Sequence, residues 1–318
     1  MMSYREYMDN EVDPWIKDHT LNEVIESTQG IHLNTYRAVN PEAHANIVMI
    51  HGFCEFFGKY HEMMYRFFQK GYSVFFAELR GYGLSDRTVE IEDQRVYVDS
   101  FDEYVEDVSV FVEKIVKPHA QGKPLFLFAH SMGGCVGTLF LERFPEVFSC
   151  AVLSSPMLKV DFGKVPDPAL KILPIYMKIS GSEGVYAPGQ GEFTGEQAFL
   201  QSSIQDYDRY ISYFDLRRKD EHYQTWGATW SWASAAASAS DEAVRKIGQI
   251  TVNVLICQAG LDHMVKAEGQ NEAAAHNDKI TIDFFPESKH EIWNSTDEIR
   301  EKWYKDVLAF YKAWTFAK

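Results

Sequence analysis

Residues 125–134 read LFLFAHSMGG, an apolar run that carries Ser131 straight into a turn followed by helix-forming residues. That is the arrangement an acyl-transfer nucleophile needs. A sharp strand-to-helix elbow lifts the hydroxyl above the sheet and aims the next backbone N–H, that of Met132, at the place where an oxyanion would form. Crowding at such an elbow calls for small residues, and Ala129 and Gly133 stand on either side of the serine. The usual pattern is Gly-x-Ser-x-Gly, so Ala129 is a departure, and the plain alternative is an ordinary turn that happens to contain Ser.

Three further segments supply partners. His51-Gly52-Phe53-Cys54-Glu55 follows an apolar strand, the place from which a second oxyanion donor comes; that donor would be the N–H of Phe53, with Gly52 letting the chain turn close to the site. The group wanted here is main-chain, so His51 itself reads as a packing residue whose ring bonds backbone. Asp262, in LICQAGLDHMVK (255–266), lies just past a buried strand. Alone it would be a turn former or a cap, but its position lets a carboxylate reach a histidine in the next loop. Its neighbour His263 reads as exposed or packing. His290, in PESKHEIW (286–293), follows the last strand and precedes the last helix.

Order is what links them. Ser131, then Asp262, then His290 is the order of the α/β-hydrolase triad and differs from that of other triad folds. The chemistry follows: His290 takes the Ser131 proton as the hydroxyl attacks an acyl carbonyl, Asp262 orients the imidazole, and the N–H groups of Phe53 and Met132 stabilise the tetrahedral oxyanion, each such donor contributing about 3 kcal/mol. No metal or organic cofactor is required.

Positioning these groups takes a particular scaffold. Short apolar runs at 45–53, 72–79, 125–130, 149–155, 251–258 and 280–285 read as strands, and 25–39 as two more broken near Gly30. Segments 60–71, 101–116, 132–143 and 298–316 carry helical spacing. Strands this apolar, alternating with helices, make an α/β fold whose mostly parallel sheet is covered on both faces, with chemistry at the carboxyl ends of the strands. The stretch 157–247 breaks the alternation and is rich in aromatics; it reads as an inserted, mainly helical cap on a core formed by 1–156 and 248–318. Within it ASAAASAS (233–240) reads as helix rather than linker, with Trp226 and Trp230 one turn apart. Cap aromatics could form the cap's own small core or line a tunnel for an alkyl chain. The run Arg217-Arg218-Lys219 reads first as a solvated face, with contact to a phosphate head group as the alternative.

The chain has 318 residues, 46% hydrophobic and 24% charged, enough for a sizeable core. A net charge of −15 repels a phosphate backbone, which argues against nucleic acid. Cys54, Cys135, Cys150 and Cys257 show no metal-ligand spacing, and three of them, in or beside apolar runs, read as free buried thiols. The first residues carry acidic groups and no apolar stretch, and no run approaches a membrane span, so a soluble cytoplasmic protein is the expectation.

With these residues in place, the chain resembles the monoacylglycerol lipase and lysophospholipase branch of the α/β-hydrolases. His51-Gly52-Phe53-Cys54-Glu55 with Gly58-Lys59-Tyr60 is similar to that family's His-Gly-x-x-Glu…Gly-Arg-Tyr. Arg80-Gly81-Tyr82-Gly83-Leu84-Ser85 is similar to Arg-Gly-His-Gly-x-Ser, and the likeness continues through 129–134, Ser154-Ser155-Pro156, Asp262 and Lys289-His290-Glu291. Lys59, Tyr82 and Ala129 depart from the pattern; none removes a catalytic group. The resemblance implies that Glu55, Tyr60 and Arg80 support the site loops, Arg80 reading by itself as a structural ion pair. It also implies a small-molecule ester substrate, a single-chain lipid, under an apolar cap that makes at most peripheral membrane contact; oligomeric state is left open. A small-ester or thioester hydrolase with the same triad is one alternative, and a non-catalytic ligand-binding protein of this fold another.

Overall fold

The computed structural model describes residues 3–88, 94–161, 176–177 and 179–315. Eight strands form one sheet: β1 Leu21–Glu26, β2 His32–Ala38, β3 Ala45–Ile50, β4 Tyr72–Ala77, β5 Leu125–His130, β6 Cys150–Ser154, β7 Asn253–Ala259 and β8 Ile280–Phe285. Their order is β1-β2-β4-β3-β5-β6-β7-β8. β2 pairs antiparallel with both β1 and β4, and all other neighbours are parallel. Every residue of β3, β4, β5 and β6 is buried, which is why these strands are continuous apolar runs rather than alternating ones.

The covering helices are α1 His61–Gln69, α2 Phe101–Phe111, α3 Met132–Arg143, α4 Tyr207–Lys219, α5 Trp230–Lys246, α6 Ala267–His276 and α7 Asp297–Thr315. Ser100 and Glu103 form a capping box at the start of α2, whose Tyr104, Val108 and Phe111 face the core. The helix expected over 101–116 continues past Phe111 as a π turn, Val112–Val116. The helix expected over 298–316 begins at Asp297; its last residue, Phe316, lies outside the described residues.

One face of the sheet packs on α2, α3 and α5 and the other on α1 and α7, making two apolar layers. α5 contains the Ala/Ser-rich run, which is helical as expected. Its Ala236, Ala239 and Ala243 are buried in the same layer as α3, the small side chains allowing the helices to come close. Trp226 and Trp230 do not share its face: Gly227 turns the chain at φ 74° and Thr229 caps the helix after it. In the segment 157–247, residues 162–175 and 178 lie outside the described residues. The described part includes α4, whose Tyr210, Tyr213 and Phe214 form a small cluster with Ile204.

Before β1 the chain forms helical turns, Tyr4–Tyr7, Met8–Val12 and Asp13–His19, which the sequence reading did not anticipate. Trp15 packs 4.9 Å from Phe68, and the Tyr4 hydroxyl lies 2.9 Å from that of Tyr213 on α4. All four cysteines are free and buried. No helix among the described residues is long and apolar enough to cross a membrane.

Candidate active site

Ser131 occupies the junction of β5 and α3 with φ 52° and ψ −117°, a conformation that L side chains seldom adopt. Three backbone bonds hold it there: its N–H donates to Ser154 at 3.1 Å, and its carbonyl accepts from Met157 at 2.9 Å and Cys135 at 3.2 Å. The elbow closes because glycines face its neighbours. A Cβ on Gly133 would come 2.4 Å from the His51 carbonyl oxygen, and one on Gly134 would come 2.6 Å from Pro156 Cβ. The departure at Ala129 is absorbed one turn further on: a Cβ on Gly137 would lie 3.2 Å from the Ala129 methyl, so the small residue has shifted to the helix.

His290 Nε2 lies 2.8 Å from Ser131 Oγ, and its Nδ1 lies 2.6 Å from Asp262 Oδ2. A carboxylate only accepts, so Nδ1 carries the proton and Nε2 is left to accept from the serine hydroxyl. Asp262 Oδ1 accepts from the N–H groups of Met264 and Val265 at 2.8 and 3.1 Å. Burial pushes the Asp262 carboxyl up, but His290 and these hydrogen bonds outweigh it and hold it below the usual range. From the far side, Ser155 Oγ donates to the His290 carbonyl at 2.8 Å. The three residues picked from the sequence therefore form one hydrogen-bonded chain. His263, as expected, is exposed and outside it.

The loop after β3 lies against the elbow. A Cβ on Gly52 would meet Ser131 Cβ at 3.1 Å, which sets Phe53 beside the serine. Neither the Phe53 nor the Met132 N–H has a hydrogen-bond acceptor among the described residues. His51 is fully buried; it donates from Nδ1 to the Gly52 carbonyl at 2.8 Å and accepts at Nε2 from Leu79 N–H at 3.0 Å, the packing role read for it from the sequence. Burial lowers its imidazole to about 4.

Beneath lies a buried charge network that the sequence reading glimpsed only in part. Glu55 accepts from Gly52 N–H at 2.6 Å, Tyr60 hydroxyl at 2.5 Å, His130 Nδ1 at 3.1 Å and Lys59 Nζ at 2.8 Å. Lys59 donates a second bond, also 2.8 Å, to Glu291. Burial would raise the Glu55 carboxyl, yet Lys59 and then His130 hold it well below its ordinary range. The His130 ring packs 4.9 Å from that of His290. His130 and Glu291 adjoin the catalytic candidates in sequence and lie in the runs 129–134 and Lys289-His290-Glu291 of the family likeness, but nothing there gave them a role. Arg80 stands apart: it is bound by Asp107, Glu103, Thr28 and Gln29 and ties the loop after β4 to α2, a structural ion pair. From the same loop the Tyr82 hydroxyl reaches Met132 Sδ at 3.2 Å, so the loop contacts the elbow through Tyr82 rather than Arg80.

A cavity of about 550 Å³ flanks the triad. Phe53, Met264, Phe193, Tyr213, Phe214 and Trp226 line it; Ser131 and His290 do not, but Phe53 follows Gly52 beside the serine and Met264 N–H bonds Asp262. Among the described residues no cluster of His, Cys, Asp and Glu suits a metal ion.

The sequence profile of the family described as serine aminopeptidase, S33, matches residues 41–297. The chain is 26% identical over 290 residues to the probable lysophospholipase L2 of Haemophilus influenzae, covering 89% of each. It is 29% identical over 143 residues to the monoacylglycerol lipase of Mycolicibacterium smegmatis, 45% of this chain and 46% of that one. Among solved structures, a soluble variant of monoglyceride lipase from Saccharomyces cerevisiae superposes with a TM-score of 0.74 at 17% identity, over 94% of this chain and 97% of that one.

Proposed function

The chain belongs to the serine aminopeptidase S33 family, in the monoacylglycerol lipase and lysophospholipase branch of the α/β-hydrolases, and from that premise we propose that it releases fatty acid from a lysophospholipid or monoacylglycerol through an acyl-enzyme on Ser131. The observation that carries this reading is the chain Ser131–His290–Asp262, closed at 2.8 and 2.6 Å beside an aromatic-walled cavity.

In the first half-reaction His290 Nε2 takes the proton as Ser131 Oγ attacks the ester carbonyl. The carbonyl oxygen becomes an oxyanion and accepts from Phe53 and Met132 N–H, whose donors have no competing acceptor among the described residues. The imidazolium gives its proton to the departing glycerol oxygen, and Asp262 stabilises the transient charge while keeping Nδ1 protonated. Water then attacks the acyl-enzyme, His290 again accepting the proton, and the fatty acid leaves.

The alkyl chain of such a substrate calls for apolar walls, and the cavity aromatics meet that requirement. We assign the segment 157–247 as the cap, with α4 over the cavity and α5 anchored in the core; any contact with a lipid surface would be made by this cap. The test is fatty-acid release from lysophosphatidylcholine and monoacylglycerol of equal chain length, with Ser131→Ala as control. Release that persists in Ser131→Ala, or none from either lipid, would overturn the proposal.

A further inference from the structure

The run Arg217-Arg218-Lys219 divides in the fold. Arg218 and Lys219 are exposed, whereas Arg217, on α4, is 7% exposed and lines the cavity. Its Nη2 donates to the Cys54 carbonyl at 2.5 Å, one residue along from Phe53. The guanidinium lies between rings, 4.5 Å from that of Trp226, 5.4 Å from Phe56 and 5.8 Å from Phe193.

Among the described residues Arg217 lacks the carboxylate partners that other buried cations have. Arg80 has Asp107 and Glu103, Arg209 has Glu62, and Lys59 has Glu55 and Glu291. Arg217 makes no ion pair among the described residues. Burial pulls its titration down, but a guanidinium stays charged at neutral pH. An unpaired buried charge is expensive to keep, and it is kept on a cavity wall. A guanidinium has five N–H donors; one is used on the Cys54 carbonyl, and rings over its faces leave the remaining in-plane donors for bonds to an anion.

We propose that Arg217 is the phosphate-binding residue of this cavity and selects a lysophospholipid with a zwitterionic head group over a neutral monoacylglycerol. The inference rests on the reading of Ser131 as an ester nucleophile. With the ester carbonyl at Phe53 N–H, the glycerol backbone spans the short step to Arg217 and brings the phosphate to the guanidinium. Glu192 and Glu196, exposed on the same cavity, then face the ammonium end of the head group, and Trp226 offers it a ring face. An anionic head group without the ammonium would meet those carboxylates unfavourably.

Two measurements test this. The first compares kcat/KM for lysophosphatidylcholine and for monoacylglycerol of the same chain in the wild type, Arg217→Met and Arg217→Lys. Loss of charge-assisted bonds to the phosphate should lower the lysophosphatidylcholine-to-monoacylglycerol ratio roughly ten- to a hundredfold in Arg217→Met, with part of it regained in Arg217→Lys. An unchanged ratio, both substrates falling together, would make Arg217 a structural tie between α4 and the Cys54 loop and overturn the proposal. The second is calorimetric binding of glycerophosphocholine, glycerol and inorganic phosphate to the wild type and to Ser131→Ala, which needs neither turnover nor a foldable Arg217 variant. Glycerophosphocholine should bind at least tenfold more tightly than either glycerol or phosphate. Equal binding of glycerol would remove the phosphate from recognition, and equal binding of inorganic phosphate would remove the head group; either overturns the assignment. A protein that hydrolyses neither lipid yet binds glycerophosphocholine in this way would sink the lipid-ester reading and leave the Arg217 site standing.

Discussion

At the residue scale, the triad makes demands that differ from one member to the next. Ser131→Ala and His290→Ala remove the nucleophile and the base, so single-turnover acylation by a nitrophenyl ester should be lost in both while the fold persists. Asp262→Asn leaves the shape but offers an amide N–H to His290, favouring the wrong tautomer; kcat should fall about 10⁴-fold. A drop of only severalfold would mean that Met264 and Val265, bonded to the same carboxylate, fix the loop well enough without the charge. His51 makes a separate prediction. Burial lowers its imidazole to about 4 in the fold, below the ~6.5 of an unfolded chain, and the neutral ring is the form that accepts at Nε2 from Leu79 N–H. Stability from this group is full above pH ~6.5 and is lost as pH falls towards and through 4, by about 3 kcal/mol. His51→Gln should flatten the acid limb of a urea-midpoint profile over that window; an unchanged slope would assign the acid sensitivity to other groups. These residues were legible in the sequence because triad chemistry fixes residue type, order and position at strand ends. Arg217 was legible only as one of three adjacent cations, since nothing in the letters says which one turns inward.

At the element scale, what could be read was what periodicity encodes. β5 and α3 lie where their apolar runs place them, because both are buried almost throughout and a buried element is dictated by its own residues; β8, a half-exposed edge strand, also falls where its run of β-branched and aromatic residues puts it. The helical turns before β1 were invisible for the opposite reason: Trp15 is buried against Tyr65 and Phe68 of α1, and Tyr4 meets Tyr213 of α4, partners far along the chain. Trp226 and Trp230 carried helical spacing, but the positive φ of Gly227 decided otherwise. The Lys59 network is likewise an element property, since it ties the Phe57–Tyr60 turn, the end of β5 and the loop of His290 through Glu55 and Glu291. Replacing Lys59 by Met leaves two buried carboxylates without their cation, which should cost about 3–5 kcal/mol. The urea midpoint should drop accordingly, and Lys59→Arg should regain much of it. Because Glu55 also accepts from Gly52 N–H, kcat should fall with stability in Lys59→Met. Full activity in a destabilised Lys59→Met would show that the oxyanion loop is held by Tyr60 and His130 alone.

At the scale of the whole molecule, a net charge of −15 surrounds a cavity whose wall holds Arg217, which has no ion-pair partner among the described residues. These two fields act over different distances. The net charge reaches out through solvent and is cut off by salt, with a screening length of about 30 Å at 0.01 M falling to about 8 Å at 0.15 M. Arg217 acts only on a group already within the cavity, where salt screens little. A lysophospholipid with net negative charge is therefore opposed on approach and helped on arrival, whereas a zwitterionic one feels little of the first and all of the second. It follows that kcat/KM for soluble short-chain lysophosphatidic acid should rise severalfold between 0.01 and 0.15 M salt, while that for lysophosphatidylcholine of the same chain stays nearly flat. Both must be measured below their micelle concentrations, since salt also alters micelles. If the anionic substrate instead slows as salt is added, the field at the cavity mouth is positive despite the net charge, and the carboxylates Glu192 and Glu196 do not govern entry. If both substrates respond alike, long-range charge plays no part in capture, and head-group choice is made entirely at the contact with Arg217.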